Sequence, residues 1–246
     1  MQGKLVGKGR RAPLSPEAFE KVIKKCKFTN GADIQTVIGL YTKTAKDLLG
    51  SVDELKYDGL SAWDDEDYKR LGDALRYCGV LQKLELRNMI LSDRSASLVF
   101  HGQPLPSLHD LTLHGCRKLT MLPKGFSHAL PKLLTLSLIE CRSLTSLPDL
   151  SALSELKKLI LRGCSALERT NAVHDKPVFD LSGLAALREL DLWNCSSLPQ
   201  SIGSPETLKL PKCTELKVHY PAHLTNMHDE AEPAEPATWA EPMAEP

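Results

Sequence analysis

With 246 residues, 42% of them hydrophobic and 25% charged, the chain is long enough for one sizeable core or for a repeat array with small appendages. Its 31 basic residues balance 31 acidic ones, so no overall field draws it toward nucleic acid or an anionic membrane. No stretch reaches the roughly 20 apolar residues of a membrane span, and the opening residues lack the apolar core of a secretory signal, so an intracellular, cytoplasmic protein is expected.

Residues 1–13 form a basic tip in which Lys4, Lys8, Arg10 and Arg11 stand among glycines. That composition predicts disorder, with organelle or nuclear targeting as its alternative. Residues 14–50 predict two amphipathic helices. Ser15 and Pro16 supply an N-cap and a first turn, and Phe19, Val22, Ile23 and Cys26 follow at helical spacing. After a break at Thr29, Asn30 and Gly31, a second apolar face comprises Ile34, Val37, Ile38, Tyr41, Ala45 and Leu48. The pair is expected to cap the apolar end of a repeat array that begins at residue 51.

Residues 51–221 are built from one recurring string, L-x-x-L-x-L-x-x-C-x-x-L. Leu108, Leu111, Leu113, Cys116 and Leu119 set its frame, and Leu133, Leu136, Leu138, Cys141 and Leu144 reproduce it 25 residues later. Leu156, Leu159, Leu161, Cys164 and Leu167 come next, then Leu187, Leu190, Leu192, Cys195 and Leu198. Looser copies flank these: Val52, Leu55, Tyr57 and Leu60; Leu81, Leu84, Leu86 and Met89; and Cys213, Leu216 and Val218. About seven units result, above the ~3 that a stacked core needs.

The L-x-L kernel alternates at period two, sending its leucines inward and the flanking residues outward. Each kernel is therefore one short strand. Every unit runs in the same direction and returns over more than a dozen residues, so successive strands pair in parallel and form a curved sheet. The cysteine at the turn is a small, weakly polar filler able to meet backbone groups.

The return segments predict a mixed outer wall. In the first units Ser61 is placed to cap a helix whose Tyr68, Leu71, Leu75 and Cys78 share one face. In the central units Leu122-Pro123 and Leu147-Pro148 interrupt helix and predict an extended wall. The segment RTNAVHDKPVFD lengthens one unit and is expected to bulge as a loop. Residues 222–246 are acidic, Pro- and Ala-rich, a composition that predicts disorder.

These units resemble the leucine-rich-repeat family. LKKLILRGCSALERT and LRELDLWNCSSLPQSIG are similar to repeats of plant disease-resistance receptors, and GLSAWDDEDYKRLGDALRYCGVLQKLEL to the longer, helical repeats of the ribonuclease-inhibitor type. The resemblance implies an α/β solenoid with a parallel sheet lining its concave face, a scaffold used for many unrelated partners. LSPEAFEKVI followed by ADIQTVIGLY faintly resembles the start of an F-box, although Leu-Ser-Pro-Glu stands where Leu-Pro is usual and the closing aromatic is lacking.

Chemistry is sparse. The chain carries no G-x-S-x-G elbow, P-loop, G-x-G-x-x-G after a strand or H-E-x-x-H helix, so no catalytic residue, cofactor or metal site is expected. Cys116, Cys141, Cys164 and Cys195 point in parallel into the core, which disfavours both bridging and tetrahedral zinc. Two outward columns remain. Residues after the kernels run Asp58, Arg87, His114, Ile139, Arg162, Trp193 and His219; kernel centres run Lys56, Glu85, Thr112, Ser137, Ile160, Asp191 and Lys217.

Exposed isoleucines, arginine and tryptophan mark interface hot spots, so the expected partner-binding residues are Arg87, His114, Ile139, Ile160, Arg162, Asp191 and Trp193. The expected function is non-catalytic protein binding on the concave face. Mixed charge and few aromatics disfavour nucleic acid, and no membrane is expected as a partner. The alternatives are an F-box-like substrate adaptor of a ubiquitin ligase and, further, a fragment of an immune-type sensor.

Overall fold

The kernels become strands of one open, curved, all-parallel sheet in a computed structural model that describes residues 3–7, 11–28, 30–100, 104–170, 179–198, 208, 209, 211 and 216–221. In chain order the elements are β1 (Gly3–Gly7), α1 (Pro16–Ile23), α2 (Gly31–Gly50), β2 (Val52–Asp58), α3 (Asp65–Leu75), β3 (Lys83–Arg87), α4 (Asp93–Val99), β4 (Asp110–His114) and β5 (Thr135–Ile139). They continue with β6 (Ser146–Leu147), β7 (Lys158–Ile160), β8 (Arg169–Thr170), β9 (Phe179–Asp180), β10 (Glu189–Asp191), β11 (Leu208–Lys209) and β12 (Lys217–His219). The main sheet has the order β1-β2-β3-β4-β5-β7-β10-β12. It is a leucine-rich-repeat solenoid, as the period-two kernels and long returns require.

The kernel leucines stack in register, Leu55 opposite Leu84, Leu84 opposite Leu111, and so on to Leu159 opposite Leu190. Leu84, Leu111, Leu136, Leu159 and Leu190 are wholly buried. Each such side chain contributes about 1.5–3 kcal/mol of transfer free energy, which makes the leucine columns the main source of stability.

The outer wall changes character along the array, as expected. In the first units it is helical. Here the structure corrects the expected cap: Asp64, not Ser61, ends the approach to α3, accepting from the Asp67 amide at 3.0 Å, while the Asp67 side chain reaches back to the Asp64 amide. This reciprocal box supplies two orphan donors of the first turn, which a serine three residues earlier cannot reach. Ser92 caps α4, and Tyr68, Leu71 and Leu75 face the core. Beyond the turn at Ser127–Ala129 the wall becomes extended, with β6 pairing β8 and β9 pairing β11.

The two ends differ from expectation. The predicted disordered tip contains β1, which pairs with β2 in parallel, and Ala12 is buried. An exposed edge at β2 would leave a row of backbone groups without partners, and β1 supplies them. In α2, Ala45 and Leu49 form the buried stripe, whereas Leu48, expected to be buried, is 54% exposed. Phe19 of α1 stacks on Tyr41 of α2, whose hydroxyl donates to the Leu14 carbonyl at 2.9 Å. Tyr77 donates to the Glu17 carboxylate, tying this hairpin to the next unit.

At the other end β12 is displaced by two residues from the frame read in the sequence. Val218 lies opposite Leu190, and His219 opposite Asp191. His219 thus belongs to the central column and Lys217 to the column before it. The bulk of the expected loop, residues 171–178, and the acidic tail, residues 222–246, lie outside the described residues. No helix among the described residues is long and apolar enough to cross a membrane.

Candidate functional site

The outward residues of the sheet form three columns. The first, missed in the sequence, runs Glu54, Lys83, Asp110, Thr135, Lys158, Glu189 and Lys217. Its signs alternate along the first three strands and again from Lys158 to Lys217, a signal available once the kernels are aligned. Neighbours at about 4.8 Å favour opposite charges and penalise like ones. The second runs Lys56, Glu85, Thr112, Ser137, Ile160, Asp191 and His219, and the third begins Asp58, Arg87, His114 and Ile139. Arg162 and Trp193 continue the third column, since the Gly163 amide donates to the Trp193 carbonyl at 2.8 Å.

Charge is concentrated at two places on this face. Glu85, 4% exposed, receives Lys83 at 2.8 Å, Arg87 Nε at 2.9 Å and Lys56 at 3.3 Å. Burial pushes its carboxyl up, but these three cations outweigh burial and hold it at about 2. Arg87 is therefore committed to an internal contact. The second centre is Asp191: Oδ2 accepts Arg162 Nε at 3.0 Å and Nη2 at 2.8 Å, and Oδ1 accepts the Trp193 amide at 2.9 Å. The fork fixes the guanidinium and the turn that carries the indole.

Between these centres the second and third columns carry no acidic, lysine or arginine side chain. Thr112, His114, Ser137, Ile139 and Ile160 occupy β4, β5 and β7, and the two isoleucines are half-buried. Trp193 is 52% exposed. Of the seven residues expected from sequence, five lie on strands from β3 to β10, and Arg162 and Trp193 lie in the turns just after β7 and β10. The structure divides them by role: Ile139, Ile160 and Trp193 offer apolar surface, Arg162 a fixed cation, and Arg87 and Asp191 mainly hold their neighbours. His114 Nδ1 is buried and has no hydrogen-bond partner among the described residues.

One rim of the face is a column of left-handed residues: Gly59, Asn88, Gly115, Glu140, Gly163 and Asn194 all have positive φ. Glycines alternate with larger residues for a packing reason. A Cβ at Gly115 would lie 2.6 Å from Asn88 Oδ1, and one at Gly163 2.6 Å from Glu140 Oε1. Glu140 is held over Gly163 by Arg142, at 2.8 and 2.7 Å.

Behind the sheet, the cysteine ladder is packed core. Cys116, Cys141, Cys164 and Cys195 are wholly buried and free. The Cys164 thiol donates to the Leu138 carbonyl at 2.9 Å and Cys195 to the Leu161 carbonyl at 3.0 Å, with Cys141 reaching Leu113 at 3.5 Å. The neighbouring Cys141 sulfur and burial push Cys116 and Cys164 up, and burial takes Cys195 up to about 12. These three are inert thiols joining one turn to the previous one. Among the described residues no group of three or more His, Cys, Asp or Glu is placed to hold a metal ion.

The sequence matches no protein-family model and no curated protein. Among solved structures, the leucine-rich repeat domain of the type III effector XopL superposes with a TM-score of 0.40 at 18% identity, over 86% of this chain and 90% of that one. At that distance the likeness concerns the chain trace alone; the solenoid architecture stands on the register of its own strands.

Proposed function

We propose that the protein is a non-catalytic binding module that holds a partner protein on the open face of its sheet, acting inside the cell. Ile139, Ile160 and Trp193 are the apolar anchors, with Arg162 beside them and Arg87, His114 and Asp191 framing them. The observation that carries this reading is the half-exposed Trp193 beside an Arg162 already fixed by Asp191. Binding to such a surface immobilises few side chains, so most of the contact energy is available for affinity. Tryptophan and arginine anchors typically cost at least ~2 kcal/mol on truncation, roughly a 30-fold change in affinity.

The test compares the wild type with Trp193→Ala and with Met121→Ala, an exposed apolar residue on the outer wall. A partner recovered by cross-linking in cells is purified and titrated calorimetrically against all three. The expected outcome is an affinity at least about tenfold weaker for Trp193→Ala and unchanged for Met121→Ala. Equal affinity for all three would remove the open face as the binding site. One observation favours a plain binding module over a ligase adaptor: α1 and α2 lie in the chain between β1 and β2, and so belong to the solenoid's own end.

A further inference from the structure

Formal charge is divided among three parts of this chain. Residues 1–50 carry ten basic and four acidic residues, residues 51–221 carry 21 of each, and residues 222–246 carry six acidic and no basic residues. The neutral solenoid therefore separates an end with six excess positive charges from a tail with six negative ones.

The positive charge is concentrated where α1 turns into α2. Lys21, Lys24, Lys25 and Lys27 are exposed within seven residues. Lys24 pairs with Glu20 at 2.6 Å, while Lys21, Lys25 and Lys27 have no ion-pair partner among the described residues. Lys43 on α2 is also exposed. Apolar surface accompanies the lysines: Val22 among them is 48% exposed, and Leu40, next to the Tyr41 that stacks on Phe19, 63%. Three clustered lysines without ion pairs repel one another, and two exposed aliphatic side chains forgo burial, so the surface favours a covering of opposite charge with apolar groups interspersed. The tail has that composition, with Asp229, Glu230, Glu232, Glu235, Glu241 and Glu245 around Trp239 and Met243.

We propose that residues 232–245 dock on the lysine-bearing surface of the α1–α2 hairpin of the same chain. The chain length allows it. The 11 residues from Pro221 to Glu232 span up to about 38 Å when extended and the 18 to Trp239 about 60 Å, whereas the seven strand spacings from β12 to β1 cover about 34 Å. Tethering raises the effective concentration to about 1 mM, so an intrinsic Kd near ~0.1 mM docks roughly nine molecules in ten. A weak electrostatic contact is enough.

Cys26 lies among the lysines and is exposed, whereas Cys78, Cys116, Cys141, Cys164 and Cys195 are buried. A full-length Cys213→Ser protein carrying a nitroxide on Cys26 reports docking by paramagnetic broadening of tail resonances in NMR spectra. Residues 232–245 are expected to lose most of their intensity at low salt and to regain it when ionic strength rises from about 0.05 to about 0.5 M. Broadening is expected to be unchanged on tenfold dilution, and lost in Lys21→Glu, Lys25→Glu, Lys27→Glu, whose fold is checked by circular dichroism. Full tail intensity at low salt overturns the proposal, as does broadening that disappears on dilution or survives the charge reversal. If the tail keeps its intensity while vesicles containing phosphatidylserine bind through the same lysines, a lipid surface is the ligand and the proposal falls.

Discussion

Gly72 sets two physical effects against each other. It lies inside α3, where alanine is favoured over glycine by about 1 kcal/mol, so helix propensity alone predicts that Gly72→Ala stabilises the protein. The packing predicts the opposite. A Cβ at Gly72 would lie 2.2 Å from the Leu98 carbonyl oxygen and 3.1 Å from that of Val99. Both obstacles are backbone, so relief requires α3 and α4 to separate by about 1 Å to reach an ordinary carbon–oxygen distance. Overpacking of that kind costs roughly 1–3 kcal/mol and sometimes more. A 2.2 Å approach to backbone belongs to the upper part of that range, about 2–3 kcal/mol, so with propensity subtracted the net loss is about 1–2 kcal/mol, or roughly 2–8 °C in Tm for a chain of this size. Gly39 provides the control: it lies inside α2 with nothing within 4 Å of its Cβ position, so Gly39→Ala gains the propensity without the clash. Urea titration of the two variants should move the midpoints in opposite directions at unchanged slope. Stabilisation by Gly72→Ala would refute the close approach of α4 to α3.

Buried polar groups give three further outcomes. Tyr68 is 1% exposed and its hydroxyl has no partner among the described residues, so Tyr68→Phe should raise stability by up to ~1 kcal/mol in the same titration; a loss of that size would reveal a partner. Glu85, held at about 2 when folded against an ordinary value of 4.5, contributes stability that is complete above pH about 4.5 and lost as the pH falls toward about 2. Glu85→Gln should therefore be less stable at neutral pH and flatter across that window, and an unchanged profile would exclude Glu85 as a source of acid sensitivity. Asp191→Ala removes the acceptor for Arg162 and the Trp193 amide, and should cost about 2–3 kcal/mol, read as a lower unfolding midpoint. A cost below ~0.5 kcal/mol would mean that solvent replaces all three bonds.

Much of the solenoid was legible in sequence because its periods are local. A leucine at every second position of Leu111-Thr112-Leu113 or Leu136-Ser137-Leu138 states which residues face inward, and the spacing of the copies requires parallel pairing. The adjoining positions of Ile139, Arg162 and Trp193 follow from that alignment. The helical first units and the extended later wall were also readable, from an amphipathic face in one and Leu-Pro in the other.

What local pattern does not contain, only the tertiary structure decided. The pairing of Gly3–Gly7 with β2 depends on backbone groups 50 residues away, and the two-residue displacement of β12 depends on whether Val218 or Leu216 better completes the column of Leu190. Strand register at an array's end is set by one neighbour rather than two, so the weakest repeat is the one most easily displaced. The same reasoning separates the roles of Arg87, Arg162 and Trp193. Sequence alignment places all three in one outward column, but whether a side chain is free or held depends on the carboxylate that packs against it, Glu85 two residues back on the same strand for Arg87 and Asp191 on the neighbouring strand for Arg162. Glu85 and Asp191 hold the two arginines, while the Trp193 indole remains half exposed.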